Sequence, residues 1–272
     1  MVTILPKIID RNISSENPQL HRNIYRIIPV QQFLFMLRNS NNTLVSPKCW
    51  EDPYEKIFTR CKIITGTFGK KELRWNEWYC QCWSLFEESD SLWRSFTHNK
   101  EIRCVKIKST IAQLIESFEK ININTDVFVG EVYYSEEENY VNSINHAMRC
   151  YQEQFNLGIQ DLGALSMQMC KRNAFESEHE LRVLAHRKGL KRYSKVWSYT
   201  LDINKLSQEI SFDPWTPSYD RENYKKLLTK LRYIGNISFS ELYKEKGDLS
   251  PEIRVKWNFK IEPAKINEKQ NK

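Results

Sequence analysis

The sequence predicts an α+β fold built on a mixed, largely antiparallel sheet with flanking helices. One observation behind this is that short segments rich in β-branched and aromatic residues are interspersed with amphipathic helical ones, without the regular strand–helix alternation of a doubly wound sheet. The other is that only 8 Gly and 9 Pro occur in 272 residues, and no Gly/Ser/Pro-rich linker or internal repeat interrupts the hydrophobic patterning. One domain over residues 1–262 is expected, with a polar, lysine-rich tail from Pro263 to Lys272.

In chain order, Asn23–Ile28 reads as a strand and Val30–Arg38 as a helix with an apolar face at Phe33, Leu34 and Leu37. Thr43–Ser46 forms a short strand. Pro47 and the run Trp50-Glu51-Asp52-Pro53-Tyr54-Glu55 then enforce a loop, because the residue before proline is pushed out of the helical region. Glu77–Phe86 is aromatic enough for a mostly buried strand, and Asp90 can cap a short helix running to His98. Ile102–Lys108 alternates apolar and basic residues, Thr110–Lys120 is an amphipathic helix, and Asp126–Tyr134 is a strong strand. Helices follow over about Glu138–Phe155 and Asp161–Arg172, then strands over Glu178–Ala185, Val196–Ile203 and Gln208–Phe212. A helix over Tyr219–Arg232 and strands near Tyr233–Phe239 and Ile253–Ile261 complete the chain.

Seven scattered cysteines and no signal-like leader point to reduced thiols and a cytoplasmic location. No apolar run approaches the roughly 20 residues of a membrane span. The formal charge of +7 is compatible with a nucleic-acid partner and equally with simple solubility. The five histidines lack HExxH or other paired ligand spacing, so no metal is expected; Walker A and GxGxxG loops are also absent.

The segment Glu178-His179-Glu180-Leu181-Arg182 is the most suggestive. As a strand it puts Glu178, Glu180 and Arg182 on one face, where two carboxylates beside a cation can be driven toward different protonation. On a solvated helix Glu176 with Glu180, and Glu178 with Arg182, would instead be i,i+4 partners. Tyr25-Arg26 on a strand offers a planar fork for phosphate, although a lone Arg is commonly just surface. In Cys82-Trp83-Ser84, Ser84 could hold a ribose hydroxyl, and Trp93 in Leu92-Trp93-Arg94 could floor a pocket; no Gly-x-Ser-x-Gly elbow supports a nucleophilic serine. The Trp50–Glu55 loop could bind or simply turn.

Together, Tyr25-Arg26, the Trp50–Glu55 loop, Cys82-Trp83-Ser84 before Leu92-Trp93, and Glu178-x-Glu180-x-Arg182 resemble a bacterial domain family of unknown function, over Tyr25–Pro214. Its signatures are a Tyr-Arg start, an Asp-Pro-aromatic-Glu loop, a Cys-x-Ser strand and Glu-x-Glu-x-Arg. The order also resembles the Arg…Ser…Glu-x-Glu layout of ADP-ribosyltransferase toxins, which implies a split-sheet core framing an NAD pocket. On that resemblance Tyr25, Arg26, Ser84 and Trp93 would bind NAD, Arg26 at the phosphates or ribose and Ser84 at the nicotinamide ribose. Glu180 would hold the ribose 2′-hydroxyl and Glu178 would prepare the acceptor. Ser84 departs from the pattern, standing in Cys-Trp-Ser where Ser-Thr-Ser is frequent. A toxin or phage-defence effector modifying RNA, DNA or protein is implied, together with a neutralising antitoxin or chaperone. The alternative is a non-catalytic nucleic-acid- or protein-binding module using Arg103, Lys106 and Lys108. A weaker third option is a nuclease with Mg²⁺ on Asp52, Glu55, Glu178 and Glu180.

Overall fold

The computed structural model describes residues 2–5, 18–65, 69–73, 75–119, 121, 124–190 and 192–244. The chain divides between Leu242 and Tyr243 into two units, and every element below belongs to the first. The strand expected near Ile253–Ile261 and the 262/263 boundary lie outside the described residues.

The first part of the chain forms β1 (Val2–Ile4), β2 (Asn23–Pro29), α1 (Val30–Asn39), β3 (Asn41–Val45), β4 (Lys62–Thr65), β5 (Gly69–Glu72) and β6 (Trp78–Ser84). The middle forms α2 (Asp90–Phe96), β7 (Cys104–Thr110), α3 (Ile111–Glu116), β8 (Thr125–Glu131), β9 (Tyr133–Ser135), α4 (Tyr140–Gln152), α5 (Ile159–Gln168) and β10 (Cys170–Arg172). Then come β11 (Glu180–Arg187), β12 (Val196–Thr200), α6 (Ile203–Leu206), β13 (Glu209–Phe212), α7 (Ser218–Lys230) and β14 (Asn236–Phe239).

The main sheet runs β1-β8-β11-β6-β2-β7-β13-β14, with β3 joining β6 and β12 joining β3. Only β1·β8 and β13·β14 are parallel, so the sheet is mixed and largely antiparallel, as expected. Period-2 alternation buries both faces. Ile24, Leu44, Tyr79, Ile107, Val183 and Ile210 join one core, into which α1 presses Phe33. Trp78, Cys80, Phe128 and Leu184 pack with Tyr140, Ala147 and Leu165 of α4 and α5 in the other.

The sheet forks at β6. One edge of β6 pairs with β11 along its length, from Glu180↔Ser84 to His186↔Trp78. On its other edge, Ser84 pairs with Tyr25 of β2 while Cys80 pairs with Val45 of β3. Between those two pairings β2 and β3 diverge, and the split opens beside residues 81–83.

Several expectations are corrected. Ser89, not Asp90, caps α2, accepting from Leu92 N at 3.2 Å. The helix begun at Asp161 ends at Gln168, and Cys170–Arg172 pairs as strand with β9. On α1 the buried residues are Val30, Phe33 and Met36, with Leu34 and Leu37 only partly covered. Ile203 begins a helix instead of ending a strand, since Asp202 accepts from Asn204 N and caps it. The Glu178 strand starts two residues late: His179 adopts φ 43, a left-handed conformation, and Glu178 closes a 3₁₀ turn. Thr110 does open its helix, through a reciprocal capping box with Gln113. No helix among the described residues is long and apolar enough to cross a membrane.

Candidate active site in the sheet fork

A cavity of about 330 Å³ occupies the fork, and Tyr25, Arg26, Trp50, Cys82, Ser84, Glu178 and Glu180 are among the residues that line it. Five of the six residues singled out from sequence thus converge here. A second cavity of about 500 Å³, lined by Arg22, Tyr133, Tyr134 and His179 among others, shares Phe86 and Glu180 with the first.

Register alone would separate Arg26 from Glu180. Tyr25 lies opposite Ser84, which lies opposite Glu180, so Arg26 falls on the other parity of the sheet. The fork removes that separation. Arg26 reaches into the gap left by the diverging strands and donates to Asn42 Oδ1 at 3.3 Å. Asn42 is held by Gln81, whose Nε2 donates to it at 3.0 Å, and donates in turn to the Tyr199 hydroxyl at 3.0 Å. Trp83 Nε1 donates to Gln81 Oε1 at 2.9 Å. This connected set of buried groups fixes the guanidinium from behind. Burial brings Arg26 down to about 10, which leaves it charged at neutral pH.

The carboxylate side is a compact ion cluster. Arg182 grips Glu180 with both arms, Nε to Oε1 at 2.6 Å and Nη2 to Oε2 at 2.7 Å, and Nη2 also reaches Glu55 at 2.7 Å. Its Nη1 donates to the Gln168 carbonyl, and Trp50 stacks 4.6 Å from the guanidinium carbon. Lys171 Nζ bridges Glu178 at 2.6 Å and Glu180 at 3.2 Å. Three carboxylates therefore share two cations. Arg182 and Glu180 are 1% and 2% exposed, whereas the Glu178 side chain is 32% exposed.

The two glutamates are driven apart in acidity. Burial pushes both upward. At Glu180 the Arg182 and Lys171 charges overcome it and hold the carboxyl at about 2; at Glu178 burial prevails over Lys171 and the carboxyl sits above its ordinary value. Such a split is how one site obtains a fixed anion and a proton-exchanging partner. The Cys80 and Cys82 sulfurs lie 4.0 Å apart, and the contact with Cys80 raises the Cys82 thiol well above the usual thiol range, so it is not an activated nucleophile.

Trp93 does not floor the cavity: it is fully buried with Ile27, Leu92 and Cys104, its indole N–H donates to Glu88 at 2.8 Å, and Leu92 and Phe96 reach the cavity instead. Ser84 lines the cavity with its hydroxyl already committed, donating to the Glu178 carbonyl at 2.8 Å and accepting from Phe86 N at 3.0 Å.

The Trp50–Glu55 loop acts as a brace. Asp52 accepts from Arg172 at 2.9 Å and from Tyr54 N at 3.0 Å, and Glu55 meets Arg182, which leaves Trp50 as its contribution to the cavity wall. The basic stripe also loses its freedom: Lys106 is buried beside Glu87 and Glu88, and Arg103 pairs with Asp213 at 3.4 Å. Sequence reasoning missed Lys171, hidden inside what reads as a helix, and the Asn42–Gln81–Tyr199 support, which no local pattern announces.

No family model matches the chain, and no curated protein matches it. Among solved structures it is similar to DarT of Thermus sp. 2.9 in complex with ADP-ribosylated ssDNA, at 10% identity and TM-score 0.36, covering 81% of this chain and 95% of that one. The complexes of the same protein with carba-NAD⁺ and with NAD⁺ match at 11% identity and TM-score 0.35, covering 81% and 96%.

Proposed function

We propose that the fork cavity is the donor site of an NAD-dependent ADP-ribosyltransferase of the toxin or phage-defence kind, modifying nucleic acid or protein. The observation that carries this reading is the convergence of the Arg26 guanidinium with two oppositely biased carboxylates, Glu178 and Glu180, on one cavity.

The lining fits such a dinucleotide in chemistry: a fixed cation for phosphate, the Tyr25, Trp50 and Phe86 rings for flat heterocycles, and carboxylates for hydroxyls. When bound, NAD supplies a ribose whose nicotinamide can leave. Glu180, held anionic, stabilises positive charge developing beside it, and the clamp of Arg182 and Lys171 means it does not reorient to do so. Glu178, more exposed and higher in pKa, accepts the acceptor's proton. A cytoplasmic setting and a neutralising partner protein belong to the same proposal.

A non-catalytic binding module is the second reading, and the engagement of both Glu180 oxygens by Arg182 favours it, because that pairing also serves as a strut. An exposed cation–aromatic cluster, with Lys48 4.5 Å from the Trp75 ring and 5.1 Å from the Tyr193 ring, gives such a module a surface for nucleic acid.

The deciding experiment is nicotinamide release from NAD by the purified chain, with and without RNA, DNA or cell lysate, using wild type, Glu178→Gln and Arg26→Met. Release that falls at least tenfold in both folded variants supports the transferase. No release from folded wild-type protein free of any partner leaves the binding module.

A further inference from the structure

We infer that Glu77, Asp161 and His186 form a structural binding site for a divalent transition-metal ion of the zinc class, separate from the fork cavity. His186 lies six residues along β11 from Glu180, about 20 Å at strand spacing, and the site is independent of the proposed transferase reading.

Three elements deliver the ligands. Glu77 stands in the 3₁₀ turn that leads into β6, Asp161 in the first turn of α5, and His186 near the end of β11. One ligand atom from each lies within 4.8 Å of the other two. His186 Nε2 is 3.1 Å from Glu77 Oε2 and 3.6 Å from Asp161 Oδ1. Bonds of about 2.0–2.1 Å at tetrahedral angles would set ligand atoms roughly 3.4 Å apart. The two distances to the imidazole straddle that value.

The cluster is preorganised. The His186 ring is 1% exposed and lies flat on the buried Trp78 indole, centroids 4.4 Å apart and planes 3° from parallel, which fixes where Nε2 points. Glu77 Oε1 accepts from Gly189 N at 3.3 Å, which orients the carboxylate as an outer-shell contact does for a metal ligand. Asp161 keeps 21% of its side chain exposed, so water can complete the coordination.

A single His–Glu pair leaves Asp161 unexplained. With Nε2 protonated, one N–H serves Glu77 at 3.1 Å, and Asp161 at 3.6 Å is beyond a hydrogen bond. With Nδ1 protonated, the Nε2 lone pair faces two carboxylate oxygens, and a cation bound between them turns that repulsion into three favourable contacts. One imidazole with two carboxylates favours zinc-class ions over Mg²⁺ or Ca²⁺, which take oxygen ligands.

The test is titration of chelator-stripped, full-length protein with Co²⁺ and Zn²⁺, read by absorption and thermal melting. One Co²⁺ per chain is expected, with ligand-field bands and no thiolate charge-transfer band. The melting temperature should rise roughly 5–10 °C at a hundredfold excess over Kd. Both signals should weaken at least tenfold in His186→Gln and in Asp161→Asn, the latter a part-exposed position that keeps the test available if the histidine variant does not fold. No binding, binding unchanged in Asp161→Asn, or a thiolate band from the free cysteines would each overturn the site.

Discussion

Replacing Glu180 with glutamine tests the ion cluster directly. The wild-type carboxylate is 2% exposed, takes two bonds from Arg182 and one from Lys171, and sits at about 2 against an ordinary 4.5. That shift corresponds to about 3 kcal/mol of folding stability, and breaking one partner of a buried ion pair costs about 3–5 kcal/mol by comparison. The two figures agree, and for a folded body of this size they mean a melting point lower by roughly 6–12 °C near neutral pH. The sign with pH follows from the depressed value: the stabilisation is complete above about 4.5 and is lost as pH falls toward about 2. The gap between wild type and Glu180→Gln should therefore stay constant from pH 8 to 5 and narrow below it. Differential scanning fluorimetry across that range reads both features. A gap under 2 °C at pH 7, or one that widens on acidification, would refute the assignment of Glu180 as the clamped anion. The loss of stability is also why Glu178 and Arg26, not Glu180, carry the activity test.

Ser84→Ala removes a donor to the Glu178 carbonyl and an acceptor for Phe86 N, and should lower stability by about 1–2 kcal/mol in a urea melt. A neutral outcome would mean those bonds are not formed in solution. Trp93→Phe loses the bond to Glu88 and part of a packed core, costing about 2 kcal/mol. If the fork cavity is the proposed NAD site, the variant should leave NAD affinity within twofold by calorimetry. A tenfold loss of affinity at unchanged stability would return Trp93 to the cavity wall.

Much of the architecture was legible because burial imposes periodicity. Asn23–Ile28, Val30–Arg38 and Thr110 each carry a local pattern or cap that survives into the fold. Boundaries failed where the backbone departs from its own propensity. Nothing in Ser-Glu-His-Glu announces the left-handed His179 that moves Glu178 off the strand, and nothing in Met-Cys-Lys-Arg announces a strand directly after α5. The β1, β4 and β5 strands were missed as well, all three short and each stabilised by its partner, β1 by β8 and β4 and β5 by each other.

The sequence by itself determined the residue types of the site, the α+β class and the alternation that buries both sheet faces, since these depend on side-chain chemistry and on spacings of two and 3.6 residues. Only the tertiary structure decided that Arg26 and Glu180, of opposite parity, meet at one cavity, that Lys171 and Glu55 complete the ion cluster, and that His186 finds Glu77 and Asp161. Those outcomes depend on where β2 and β3 diverge from β6 and on contacts between residues 25 to 127 positions apart, as with Glu55 and Arg182, and local pattern carries no record of such distances.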